Sequence, residues 1–244
     1  AVVSHQSAAS LLQMPLRPRW RELLHVTRPG VRGGRTENGV KHHPAAFDES
    51  EIVVVDGIRV TGPARTAVDI GRESGYEDGV VACDAALRLG ADQEDLERAL
   101  VPMRYWPGIT GARAAVAVAD GGAETIGESL TRLLVLELDI GRPQTQFEVC
   151  RGTRKAFADL RVGRHLFEFD GKVKYVGRER GGVADRPVEE IVWAEKKRED
   201  WLRSLGFGVS RVIWDDLFGE ARRRTRRRLA REYQETLNRS YGAA

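Results

Sequence analysis

The sequence predicts an α/β protein in two domains: a mixed sheet assembled in the order αβββαβ, preceded by a smaller α+β domain of short strands and short helices. Three observations predict it. From Phe157 to Tyr175, apolar and polar residues alternate with a glycine turn between two runs, the period of a β-hairpin. An amphipathic helix precedes this hairpin, and a long helix followed by a continuous apolar strand comes after it. From Thr66 to Asp120 the period is helical, with glycine or proline separating each segment, which marks a different body.

The chain has 244 residues, of which 41% are apolar, enough for two cores. Gly121-Gly122 is the expected boundary, giving domains at 1–121 and 122–244. No run approaches the roughly 18 apolar residues of a membrane span. The start lacks a basic segment followed by an apolar one, so a cytoplasmic protein with no membrane partner is expected. Cys83 and Cys150 lie in apolar patterns without metal-ligand spacing, so both are expected to be buried thiols, with neither zinc nor a disulfide. The formal charge is +3, but arginine far outnumbers lysine and crowds between Arg203 and Arg239. A concentrated guanidinium surface points to a polyanionic partner.

Taken in order, Ser4 is placed to cap a short helix carrying Ala8, Leu11 and Leu12, which Pro15 ends. Such a helix at the first residues has the form of the last helix of a helix-turn-helix. Strands are predicted at 22–27, 40–43 and 52–61, the last folded at Asp56-Gly57, a strong hairpin signal. Four short helices follow, the third (from Asp92) turning Leu96 and Leu100 inward.

A helix over 127–139 buries Leu130, Leu133, Leu134 and Leu138, and Gly141 and Pro143 stop it. Glu128 has three readings: a capping box with Thr125, an ion pair with Arg132, or an acid aimed at a metal. Gln144 to Cys150 is the first strand of the sheet. A helix starts at Asp185-Arg186-Pro187, turning Ile191, Ala194, Trp201, Leu202 and Leu205 inward, with Lys196, Lys197 and Arg198 on a solvated face. Phe207 to Trp214 is the closing strand, with Arg211 facing out. In the last helix, Phe218, Ala221, Thr225, Leu229 and Tyr233 make a narrow apolar stripe. Arg222, Arg223, Arg224, Arg226, Arg227 and Arg228 cover the rest and repel one another unless anions neutralise them. Arg222, Arg223, Arg226 and Arg227 are the candidate nucleic-acid contacts.

The chemistry is expected on the hairpin. Leu160, Val162, Phe167 and Phe169 face the core, leaving Asp159, Glu168 and Asp170 crowded together with Lys172 and Lys174 just beyond. Three carboxylates at one patch call for a cation, and hard oxygen ligands favour Mg²⁺ or Mn²⁺ over Zn²⁺.

With these residues in view, TIGESLTRLL, FADLRV, LFEFDGKVKY and GVSRVIWDDL make residues 122 to 218 resemble the very short patch repair endonuclease-like branch of the PD-(D/E)xK nuclease superfamily. The stretch VDGIRVTGPARTAVDIGRE resembles the middle of AbiEi-type antitoxins, which pair a winged helix with a body of this kind. The resemblance implies a metal-dependent DNA endonuclease of defence or repair, with DNA as partner and Mg²⁺ or Mn²⁺ as cofactor. It matches Asp159 and Glu168 to metal-binding acids, with Glu128 as a third. Asp170 stands where the superfamily core has lysine, so Lys172 or Lys174 would supply the charge from a displaced position, and Asp170 could hold a second ion. That departure sustains an alternative: a DNA-binding antitoxin or transcriptional repressor with a truncated winged-helix-like first part and an inactive nuclease-fold domain. Its partners would then include a second copy of the chain and the toxin or defence protein of its system.

Overall fold

A strand of two valines, Val2 and Val3, opens the chain's first sheet. The computed structural model describes residues 1–17, 23–30, 32–171 and 188–241. It is mixed α/β, and it divides into two compact units, 1–129 and 130–244. The division falls inside a helix, after Ser129, whereas the Gly121-Gly122 pair lies in the loop before that helix.

In the first unit, β1 (Val2–Val3) leads through Ser4 into α1 (His5–Leu11). Then follow β2 (Leu24–Arg28), β3 (Arg35–Glu37), β4 (Val40–Pro44), β5 (Ile52–Val55) and β6 (Ile58–Thr61). Among the described residues these make one six-stranded sheet in the order β3-β4-β2-β1-β6-β5. β1 pairs antiparallel with β2 and parallel with β6, while β2 and β4 run parallel, setting His25 against Lys41 and Thr27 against His43. The Asp56-Gly57 turn has φ of 48° and 80°, the double positive φ of a tight hairpin, and it joins β5 to β6 as the sequence predicts. β1 and β3 escape the pattern because two or three residues carry no period.

Four helices complete the unit: α2 (Pro63–Ser74), α3 (Tyr76–Arg88), α4 (Gln93–Leu100) and α5 (Ile109–Ala117). Pro63 starts α2, where its missing N–H costs nothing. Asp92 and Asp95 close a reciprocal cap on α4, at 2.8 and 3.1 Å. α2 and α3 cross where Gly71 and Gly79 touch; a Cβ on Gly79 would stand 2.8 Å from the Gly71 Cα and 2.9 Å from the Ala115 Cβ. Only glycine permits that approach. Ser4 departs from its predicted role: its side chain caps no backbone N–H and instead meets the His5 ring, 3.0 Å from Nδ1.

The second unit continues α6 (Ile126–Leu136) into β7 (Gln144–Arg151), β8 (Arg154–Val162), β9 (His165–Asp170), α7 (Val188–Ser204), β10 (Gly208–Ile213) and α8 (Gly219–Tyr241). The element order is helix, three strands, helix, strand, then the last helix. The sheet order is β10-β9-β8-β7: a meander of three antiparallel strands, with β10 returning parallel to β9. A parallel return needs a crossover element, and α7 is it. Its core joins Val149, Ala158, Leu166, Leu202 and Val209, with Trp201, Leu205 and Phe207 against them. Cys150 departs from expectation: it is exposed at the strand end, while Cys83 is buried.

Candidate functional site

Gly163 turns the β8–β9 hairpin with φ +57°, and the register runs Val162 to His165, Arg161 to Leu166 and Leu160 to Phe167. Asp159 and Glu168 are the next residues on either strand. The Asp159 carboxylate accepts the Phe169 N–H at 2.7 Å, so one of its oxygens completes the sheet's hydrogen bonding. Glu168 is buried, and Arg198 from α7 reaches it with both terminal nitrogens: Nη2 lies 2.7 Å from Oε1 and Nη1 donates to Oε2 at 3.0 Å. Arg198 also donates to the Phe157 carbonyl and to Glu195. Burial works against its charge, and the carboxylates of Glu168, Glu195 and Asp159 more than restore it, raising its pKa above the ordinary arginine value.

This arginine stands among the acids expected to hold Mg²⁺ or Mn²⁺. The guanidinium already neutralises the Glu168 carboxylate, and a divalent ion there would compete with it; only Oε2 receives a hydrogen bond, while the buried Oε1 receives none among the described residues although Nη2 lies 2.7 Å away. Neighbouring charges continue the pattern. Arg211 reaches Glu195 at 2.9 Å, Glu199 at 3.0 Å and Asp170 at 4.0 Å, so it turns toward α7 instead of facing out. Arg198 likewise leaves the solvated face predicted for it. Lys172 and Lys174 lie outside the described residues, as does the predicted helix start at Asp185-Arg186-Pro187.

Glu128 forms the capping box. Its Oε2 accepts the Glu124 N–H at 2.8 Å, its Oε1 accepts the Thr125 hydroxyl at 2.9 Å, and Thr125 Oγ1 accepts the Glu128 N–H at 3.2 Å.

The arginines of α8 divide by face. Of the predicted stripe, Thr225 and Leu229 are buried while Phe218, Ala221 and Tyr233 are half-buried, and Thr236 further along is buried as well. Arg222 is drawn in, donating to the Leu217 carbonyl and pairing with Glu137, so it is not an open contact as the sequence suggests. Arg228 is similarly tied to Asp216 and Glu232. Arg223 is exposed with Glu220 3.0 Å away. Arg224, Arg226 and Arg227 are exposed and make no ion pair among the described residues.

Spacing rules missed one cluster altogether. His5, His25, His43 and Glu73 come from α1, β2, β4 and α2, and their ligand-type atoms all lie within 4.8 Å of one another. Burial pushes the His5 and His43 imidazoles down to about 3, with Glu73 opposing, and lowers His25 in the same way. The signal in the sequence was thin: four of the chain's five histidines fall in the first half, spread over three separate predicted elements.

No protein-family model matches the chain. It is similar to two uncharacterized proteins of Mycobacterium tuberculosis, MT2308 and Rv2248, each 26% identical over 201 residues, 80% of this chain and 68% of theirs. Among the described residues, no helix is long and apolar enough to cross a membrane.

Proposed function

We propose that the chain is a DNA-binding protein, an antitoxin or transcriptional repressor, that uses a nuclease-like second unit as a scaffold. The observation that carries this reading is the Arg198 guanidinium seated across Glu168. A nuclease of the PD-(D/E)xK kind uses that carboxylate to hold its ion, and here a fixed cation of the protein's own holds it instead. Nuclease ancestry is supported by the strand order, the parallel return of β10 and the acids at the β8–β9 hairpin. DNA as partner is supported by Arg224, Arg226 and Arg227, three exposed guanidiniums without carboxylates of their own.

The test is a gel shift on DNA from the chain's own promoter, run beside a plasmid-nicking assay in Mg²⁺ and in Mn²⁺. Retarded DNA with intact plasmid is the expected result. Metal-dependent nicking that vanishes in Asp159→Ala and Glu168→Ala would overturn the reading and restore the endonuclease.

A further inference from the structure

We propose that His5, His25, His43 and Glu73 form a four-ligand site for one Zn²⁺ ion that fastens α1, β2, β4 and α2 together. His5 Nε2, His25 Nδ1 and His43 Nε2 stand 3.5, 3.8 and 3.7 Å from a single oxygen, Glu73 Oε2. These spacings are too long for good hydrogen bonds. They do suit a shared ion: zinc bonds of about 2.0–2.1 Å in a tetrahedron set neighbouring ligand atoms roughly 3.3–3.4 Å apart. A further edge, His43 Nε2 to His25 Nδ1, is 3.1 Å. A hydrogen bond accounts for that edge, and stacking brings the His5 and His43 rings to 3.6 Å between centroids; an ion would in addition account for the Glu73 oxygen facing all three imidazoles.

The surroundings orient the ligands. Ser4 Oγ, 3.0 Å from His5 Nδ1, can accept its proton and leave the Nε2 lone pair toward the cluster. Lys41 pairs with Oε1 of Glu73, leaving Oε2 toward the imidazoles. His5 itself has φ +52°, a left-handed conformation uncommon outside glycine, immediately after the Ser4 N–H docks on the His25 carbonyl at 3.0 Å. Strained backbone that aims a side chain into a cluster is typical of ligand sites. His5 and His25 are buried, and burial keeps the rings neutral, the form that binds metal.

Three imidazoles and one carboxylate suit Zn²⁺ better than Mg²⁺, which prefers oxygen and retains water. Four protein ligands fill a tetrahedron, so the ion would be structural. It would tie together residues up to 68 positions apart in the chain, from His5 to Glu73. This site is independent of the acids near Arg198.

The test uses the untagged full chain, stripped with a chelator, dialysed and titrated with zinc sulfate. Expected are one zinc retained per chain by elemental analysis and a rise in Tm of about 5–10 °C in excess zinc. His43→Gln and Glu73→Gln should each lose the retained zinc and the Tm rise, while the control His42→Gln keeps both. Should those variants fold poorly, Co²⁺ added to the stripped parent chain decides: intense visible bands of a tetrahedral complex support the site. A parent chain that retains no zinc, variants that retain it, or only the weak spectrum of octahedral Co²⁺ would overturn it.

Discussion

The Arg198 guanidinium faces both oxygens of Glu168, at 2.7 and 3.0 Å, and the carboxylate has little other access to solvent. Removing one partner therefore strands the other. Arg198→Ala is expected to destabilise the chain by about 2–3 kcal/mol, somewhat below the usual figure for a broken buried pair because the arginine is partly exposed. Arg198→Met combined with Glu168→Leu should recover most of that loss, since no buried charge is left alone. Urea unfolding of Arg198→Met, Glu168→Leu and the double variant measures the coupling; additive losses would show that the pair is not a unit.

The β-strands and helices were legible where the pattern was long. The β8–β9 hairpin, the β5–β6 turn and α6 to α8 each show enough periods to declare themselves. The site was half legible. Asp159 and Glu168 could be found by alternation, but Arg198 sits in a run of charges on α7 that looks the same whether it meets water or a carboxylate from a strand thirty positions away. Nothing local distinguishes the two. The His5, His25, His43 and Glu73 cluster was illegible for a similar reason: its ligands come from four elements whose parallel pairing of β2 with β4 is a tertiary choice. Local spacing detects metal sites built on one loop or helix, and this one is built across a sheet.

Glu128 closes the cap of α6, accepting from Glu124 and Thr125 at 2.8 and 2.9 Å. Glu128→Ala is expected to cost about 1 kcal/mol in thermal or urea unfolding and to leave DNA retention unchanged. A loss of DNA binding at unchanged stability would return Glu128 to the functional residues.

His165 lies between Ser210 Oγ and Thr236 Oγ1, 2.8 Å from each, and burial lowers its pKa to about 4, with Glu232 opposing. In the unfolded chain the value is the ordinary 6.5. Between those two values the unfolded state holds a proton that the folded state does not. Stability is therefore full above pH 6.5, falls as pH drops through the window, and this contribution levels off below about 4. The loss is on the order of 2–3 kcal/mol. His165→Gln should flatten the slope of unfolding free energy against pH in chelator-treated protein; an unchanged slope would place the proton elsewhere.

Gly208 opens β10 directly against that pair. A Cβ there would collide with Thr236 Oγ1 and His165 Nδ1. Gly208→Ala should cost about 1–3 kcal/mol through overpacking, outweighing the roughly 0.4–1 kcal/mol gained by stiffening the unfolded chain. Thr236→Ala in the same chain removes one of the colliding atoms and should recover part of the loss. Melting temperatures of the single and double variants decide it.

The α8 arginines predict a salt signature for DNA binding. A guanidinium on a phosphate releases a counterion, so each lost contact should lower the slope of log K against log salt by about 0.9. Arg224→Ala, Arg226→Ala and Arg227→Ala should each weaken binding to unrelated duplexes alike, because backbone contacts carry no sequence information. Arg222→Ala should behave differently: its guanidinium is committed to Leu217 and Glu137, so the change should appear in stability and leave the salt slope nearly intact. Fluorescence anisotropy on one duplex across a salt series separates the two classes. Equal slopes for all four variants and the parent chain would mean that α8 does not face the DNA.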